Sequence, residues 1–439
     1  MKRLTRTVVG FALLMSAFAS PAAAAGTRVI VRVNGGLSLI QRICVLLRCN
    51  VNYGLGDPSG QVFLITTADG ISLNTFFNTL RLQLGVVNAE VDLQGRIQGS
   101  SNPAPAIPPA LTDTTPVNYF GTTVRRGYVA QPAAQIVGVA KAQGQFKADG
   151  YGIVAVIDTG VDPTHPVLAP VLMPGYDFTR NRDSADEKGD IQQSTAAVVD
   201  GVAPAWVNQS TAAVVDQSTA AVVDGSQYDA FGHGTMVAGI IHLVAPKASI
   251  LPLKAFNADG SGYTSDVIRA VYRAANANAR VLNMSFSFTS SSKELSNALS
   301  FANNHGVIAV AAVGNDGLQT TVYPAGYADR VLGVASTTNN DVRSAFSNYG
   351  SPLVFVAAPG EGVVTTYPWG TYAAGWGTSF STPFVAGTAA LMLDINATAD
   401  ESDASAAVAH AKLLTTDLGH GRLDVYQAIA AWRAALGMK

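Results

Sequence analysis

From about residue 135 onward the chain carries a series of short, almost wholly apolar runs: "GIVAVIDTGVD", "SILPLKAF", "RVLNMSFS", "GVIAVAAVGN" and "RVLGVAS". Segments of helical period, such as "TSDVIRAVYRAANANA" and "SKELSNALSFANNHG", stand between them. A strand exposed on one face alternates apolar with polar residues, so strands apolar throughout need cover on both sides. The pattern therefore predicts an α/β fold, a mostly parallel central sheet with helices on both faces. In such sheets functional groups collect beyond the carboxyl ends of the strands.

The chain has 439 residues, 48% hydrophobic and 13% charged, which is material for a large core and more than one domain. Net charge is −2, and no Lys/Arg run follows the first few residues, so nucleic-acid binding has no electrostatic support. Residues 1–25 have a basic start, an apolar stretch and a small-residue end, the pattern of a secretory signal removed near Ala25. No later run is long enough to span a bilayer. These features predict a secreted protein, extracellular or periplasmic, with no membrane anchor.

Residues 26–100 read as a small α+β unit: strand, helix 37–49, strand, amphipathic helix, strand. Cys44 and Cys49, the two cysteines of the chain, both fall in that first helix. Five residues apart on a helix they occupy different faces, which predicts buried thiols unless the helix ends between them. Residues 101–134 are Pro-rich and suit a linker, and residues 135–439 form the main domain. Within the main domain "QSTAAVVD" occurs three times between 193 and 224, which reads as a recent duplication in a surface loop.

The stretch "GTSFSTPFVAG", 377–387, packs Thr378, Ser379, Ser381 and Thr382 against the start of a buried helix. Pro383 fits if it lies in the first turn, so the helix is expected to begin between Ser379 and Thr382. A hydroxyl at a helix N-terminus has backbone N–H groups beside it that favour negative charge. Alone this is an ordinary cap; partners elsewhere give it meaning. Asp158 ends the strand "GIVAVIDTG", His233 stands between glycines at the head of "GHGTMVAGII", and Asn315 follows the strand "GVIAVAAVGN". An acid, an imidazole, a hydroxyl and an amide beyond the ends of buried strands are the parts of a nucleophilic acyl-transfer site. The other five histidines lack such a setting and read as surface or structural.

The blocks "VIDTGVD", "GHGTMVAG", "NMSFS", "AAVGNDG" and "GTSFSTPFVAG", in this order, resemble the signature blocks of the subtilisin-like serine endopeptidases. The resemblance covers about residues 135 to 430. It implies Ser379 as nucleophile, His233 as general base and acid, Asp158 as the group that orients the imidazole, and Asn315 as oxyanion donor. It implies a substrate-binding edge at Ser285, Phe286, Ser287 and Gly314. It implies that 26–100 is a ferredoxin-like inhibitory prodomain, with a processing point between about 100 and 134. The partners implied are protein or peptide substrates and the chain's own propeptide, with the enzyme acting as a monomer and needing no cofactor.

Several positions depart from the family pattern. The calcium-ligating loop frequent after His233 is missing, while Asp183, Asp186, Glu187 and Asp190 in "NRDSADEKGD" could offer oxygen ligands to calcium or form a solvated loop. Ser287 and Phe288 replace two common glycines, which narrows the substrate side. Trp376 stands where Asn is frequent, and Phe380 stands where Met often follows the nucleophile. Other functions fit the sequence less well: a catalytically silent binding protein, against which all four catalytic positions are filled; a lipase or esterase, which expects a G-x-S-x-G elbow that is absent; and an acid-active peptidase, which expects Glu where His233 stands.

Overall fold

A computed structural model describes residues 26–97, 106–191, 205–207, 212–214 and 228–438; the expected signal segment and the first and third octapeptide copies lie outside them. The N-terminal unit runs β1 (Arg28–Val33), α1 (Gly36–Leu47), β2 (Cys49–Gly54), β3 (Val62–Thr67), α2 (Leu73–Arg81) and β4 (Val86–Val91). Its antiparallel sheet has the order β2-β3-β1-β4, the ferredoxin-like arrangement. A short strand, β5 (Gln94–Arg96), leaves it.

The cysteine expectation fails here. The first helix stops at Leu47, and Arg48 takes a left-handed conformation at φ 55° that turns the chain, so Cys49 opens β2. The two Cα atoms then lie 4.5 Å apart and Cys44 and Cys49 are joined as a disulfide. The helical face argument assumed one continuous helix, and the left-handed cap breaks it.

The stretch read as a linker is folded over its described residues. It forms α3 (Pro109–Thr112), a hairpin of β6 (Pro116–Tyr119) and β7 (Thr122–Arg125), then α4 (Arg126–Val129) and α5 (Pro132–Ile136). Pro109 and Pro132 each open a helix, where the missing N–H has no bond to lose. Gln131 is fully buried and bonds both the N–H and the C=O of Val364, completing the edge of a strand pair in the main body.

After α6 (Val139–Phe146) comes β8 (Ile153–Asp158), the centre of the main sheet, followed by β9 (Tyr176–Asp177) and β10 (Arg182–Asp183). Within the insertion lie β11 (Ala205–Val207) and β12 (Ala212–Val214), followed by α7 (His233–Val244), β13 (Ser249–Lys254), β14 (Ser261–Tyr263) and α8 (Thr264–Asn276). Next come β15 (Val281–Met284), α9 (Lys293–Asn304), β16 (Ile308–Ala312), β17 (Leu332–Thr337) and β18 (Val356–Pro359). The chain closes with a hairpin of β19 (Val363–Tyr367) and β20 (Thr371–Gly375), then α10 (Thr378–Ile395), α11 (Glu401–Val408) and α12 (Val425–Ala435).

The main sheet has the order β10-β9-β13-β8-β15-β16-β17-β18 and is parallel except at β10. Its apolar strands feed two cores. Val154 and Val156 of β8 join one hydrophobic cluster with residues of α7 and α10, while Ala155 and Ile157 join the other with residues of α8 and α9. Period-two alternation across a sheet buried on both sides makes this division. In the insertion, Ala213 and Val214 of the second octapeptide pair with Ala374 and Ala373 of β20, just before the start of α10.

The N-terminal unit is fastened to α8 and α9. Asp92 accepts from the Ser265 N–H and hydroxyl at 2.8 Å each, and the Glu90 carboxylate accepts from Lys293 N at 2.9 Å and from the Ser292 hydroxyl. Carboxylates at helix N-termini meet orphan N–H groups and the positive end of the dipole. Arg32 adds a forked ion pair to Glu294, the closer contact 2.7 Å.

Candidate active site

Asp158 is the last residue of β8 and is fully buried. One of its oxygens, Oδ1, accepts from the Thr159 N–H at 2.7 Å and pairs with His233 Nδ1 at 2.8 Å. His233 is the first residue of α7, behind Gly232 at φ 85°. That entry is possible only with glycine at 234 as well, because a Cβ there would lie 1.9 Å from the Gly160 carbonyl oxygen. The other ring nitrogen, Nε2, is buried and has no protein hydrogen bond.

Ser379 is the second residue of α10, and its hydroxyl donates to the Ser285 carbonyl oxygen at 3.0 Å. Its neighbour Phe380 lies with its ring 5.6 Å from the His233 ring, so the starts of α7 and α10 meet. The helix begins at Thr378, earlier than expected, which makes Pro383 its sixth residue. Pro383 offers no N–H to the Ser379 carbonyl four residues back. The Ser285 hydroxyl takes that place, donating to Ser379 O at 2.9 Å.

Asn315 follows β16, and its Oδ1 accepts from both the N–H and the hydroxyl of Thr378 at 2.9 Å. Oδ1 is thus committed to the helix start, and the amide Nδ2 lies toward Gly377, where a Cβ would come within 3.3 Å of it. An amide nitrogen beside the N-terminus of α10 is suited to stabilise an oxyanion. Thr382 turns its hydroxyl back onto Thr378 O at 2.8 Å, and Ser381 is fully buried.

The four residues expected at the substrate edge divide. The Ser285 side chain is fully buried and serves the Ser379 backbone. Phe286 is core, its ring 4.6 Å from that of Phe256. Ser287 pairs through its backbone with Arg96 of the N-terminal unit. Gly314, at φ 90°, packs against Asn348, whose Nδ2 a Cβ would approach to 2.7 Å.

The four carboxylates named as possible calcium ligands are dispersed. Asp183 is exposed in β10, Asp186 caps its own turn at Lys188 N, and Asp190 pairs with Lys254 and Arg180. Glu187 is fully buried between the end of β8 and the start of α7. It accepts from Thr159 Oγ1 at 2.9 Å, Gly232 N at 3.0 Å and the Thr235 hydroxyl. Burial pushes its carboxyl up to about 8. Glu187 therefore ties the residue after Asp158 to the residues on either side of His233. No motif or spacing in the chain marks this role. Among the described residues, no group of three or more His, Cys, Asp or Glu could hold a metal ion.

Comparison with known proteins shows the family. The model of the Subtilase family matches residues 152–427. Thermitase of Thermoactinomyces vulgaris is 36% identical over 285 residues, covering 64% of this chain and 90% of thermitase. The Thermophilic serine proteinase of Bacillus sp. (strain AK1) is also 36% identical, over 54% of this chain and 51% of that protein. Subtilisin BL of Lederbergia lenta is 42% identical over 180 residues, 39% of this chain and 66% of its own length. The crystal structure of a lanthipeptide protease shares the fold at TM-score 0.52 and 23% identity, covering 67% of this chain and 93% of that one. Fold, family match and relatives agree that the chain belongs to the subtilase family and is a serine endopeptidase.

Proposed function

We propose that the chain is a secreted, self-processed endopeptidase that cleaves protein or peptide substrates through an acyl-enzyme on Ser379. The observation that carries this reading is the His233 ring, bonded at Nδ1 to buried Asp158 while its buried Nε2 has no protein partner. In the reaction the Ser379 hydroxyl leaves the Ser285 carbonyl and donates to that nitrogen. His233 then takes the proton and returns it to the leaving amine, while Asp158 fixes the tautomer and offsets the imidazolium charge. The Asn315 amide and the Ser379 N–H hold the oxyanion. No cofactor enters these steps, and the enzyme acts as a monomer.

Residues 26–97 serve as the propeptide. Support comes from the carboxylate caps on α8 and α9 and from β5, whose Arg96 pairs with Ser287, two residues past the Ser285 carbonyl that holds Ser379. On the other flank, Ala106 and Pro108 line a cavity with Trp376, three residues before Ser379. The processing point accordingly falls between 98 and 106. Among the described residues no helix is long and apolar enough to cross a membrane; secretion rests on the first 25 residues.

Ser379→Ala should lower turnover on the order of 10⁶, the size of loss measured for subtilisin, and leave the chain unprocessed. A variant that keeps a few per cent of activity would overturn the assignment. N-terminal sequencing of the exported protein tests the processing point, and a mature protein beginning near residue 26 would defeat the propeptide reading.

A further inference from the structure

We infer that Phe288 makes the cleft select glycine at the position Gly95 occupies, so that preferred substrates are extended segments with a glycine two residues before an aliphatic side chain. This rests on the reading of residues 94–97 as a strand lying in the substrate cleft.

That strand is held from two sides. Gly95 pairs with Gly262 and Arg96 with Ser261 of β14, while Arg96 also bridges Ser287 on the opposite side. Ile97 continues the ladder, donating its N–H to Gly260 O at 2.9 Å. A peptide gripped through its backbone is read only at alternate side chains. Arg96 is exposed, whereas Gly95 and Ile97 are buried. Ile97 joins the hydrophobic cluster that contains Ala230 and Phe256, so an aliphatic residue suits that place.

At Gly95 there is no room for any side chain. A Cβ built there would lie 2.5 Å from both Cδ1 and Cε1 of the Phe288 ring and 3.0 Å from Cζ. Carbon atoms in contact sit at about 3.5 to 4 Å. The ring has little freedom to withdraw. Phe288 is 3% exposed, and its backbone exchanges hydrogen bonds with Tyr323 at 2.7 and 2.9 Å. Its ring meets Phe286 edge-on at 5.9 Å, and Phe286 in turn packs on Phe256 at 4.6 Å. The facing residue, Gly262, is equally hemmed in, since its Cβ would meet the Phe256 ring at 2.5 Å and Ala255 O at 2.6 Å. The pair Gly95 and Gly262 is thus a flat rung between two aromatic rings.

The test uses enzyme purified after expression of the full chain and three peptides spanning the sequence of residues 92–107, with Gly, Ala or Val at the place of Gly95. Cleavage efficiency should fall about tenfold for Ala and about a hundredfold for Val. In Phe288→Gly the three should come within about threefold of one another. In the full chain, Gly95→Val should slow self-processing, and the double variant Gly95→Val/Phe288→Gly should regain it. Equal cleavage of the three peptides by the wild type would overturn the assignment to Phe288, whether or not the Phe288 variant folds. A glycine peptide left intact by enzyme that digests an unrelated protein would instead overturn the placement of residues 94–97 in the cleft.

Discussion

Ser285 and Ser379 exchange two hydrogen bonds: the Ser379 hydroxyl donates to the Ser285 carbonyl oxygen at 3.0 Å, and the Ser285 hydroxyl donates to the Ser379 carbonyl oxygen at 2.9 Å. The second bond replaces the helical one that Pro383 cannot make, so the backbone carrying Ser379 is fixed from the end of β15. The first bond holds the Ser379 hydroxyl on that same strand end. The placement of Ser379 is thereby written into a strand end nearly a hundred residues away.

Ser285→Ala should therefore cost about 1 kcal/mol of stability, since a buried carbonyl loses its partner. Looser placement of Ser379 should lower kcat about tenfold with KM within about twofold. Steady-state kinetics checks this, and a rise in KM at unchanged kcat would contradict it.

Glu187 holds Thr159, Gly232 and Thr235 from a fully buried position. Glu187→Ala strands these donors and should destabilise the protein by about 3 kcal/mol. Glu187→Gln keeps an acceptor oxygen and should lose less. Urea unfolding of the two variants measures the order, and equal losses would show that only volume matters at this site.

His165 and His242 are buried, and burial lowers both imidazoles to about 4. Their unfolded value is about 6.5, so the unfolded chain binds more protons between pH 6.5 and 4. Each therefore contributes stability that is present above pH 6.5 and lost as pH falls toward 4, at up to about 1.4 kcal/mol per pH unit. Glu187, raised from 4.5 to about 8, works in the opposite sense: its contribution is full below pH 4.5 and is lost as pH rises toward 8. Comparison of wild type with His242→Gln isolates one histidine: the variant's stability should fall less steeply over that window. Parallel curves would count against a neutral His242.

Phe380 lies against His233 with 1% exposure, and the core methionines Met236, Met284 and Met392 are fully buried. With Phe380 rather than a thioether next to Ser379, mild peroxide should leave activity intact, while Phe380→Met should introduce a progressive loss. Rapid inactivation of the wild type would refute this.

Much of this protein was legible without coordinates. The runs around Val154, Val281 and Ile308 demanded a sheet covered on both faces, because apolar side chains on both sides of a strand leave no face for water. Such a sheet gathers its chemistry at one edge, and Asp158, His233, Asn315 and Ser379 lie just beyond strand ends or at helix starts. The sequence also located the helix that presents Ser379. What it could not supply were relations that depend on one backbone turn or on distant segments meeting. The left-handed turn at Arg48 joined Cys44 to Cys49, and prolines at helix starts folded a stretch that composition read as linker. Tertiary structure alone turned Glu187 inward to bind Thr159 and Thr235, and brought the Phe288 ring against Gly95. Periodicity reports which face of an element is buried; it carries no information on which remote residue will fill the space or satisfy the hydrogen bond there.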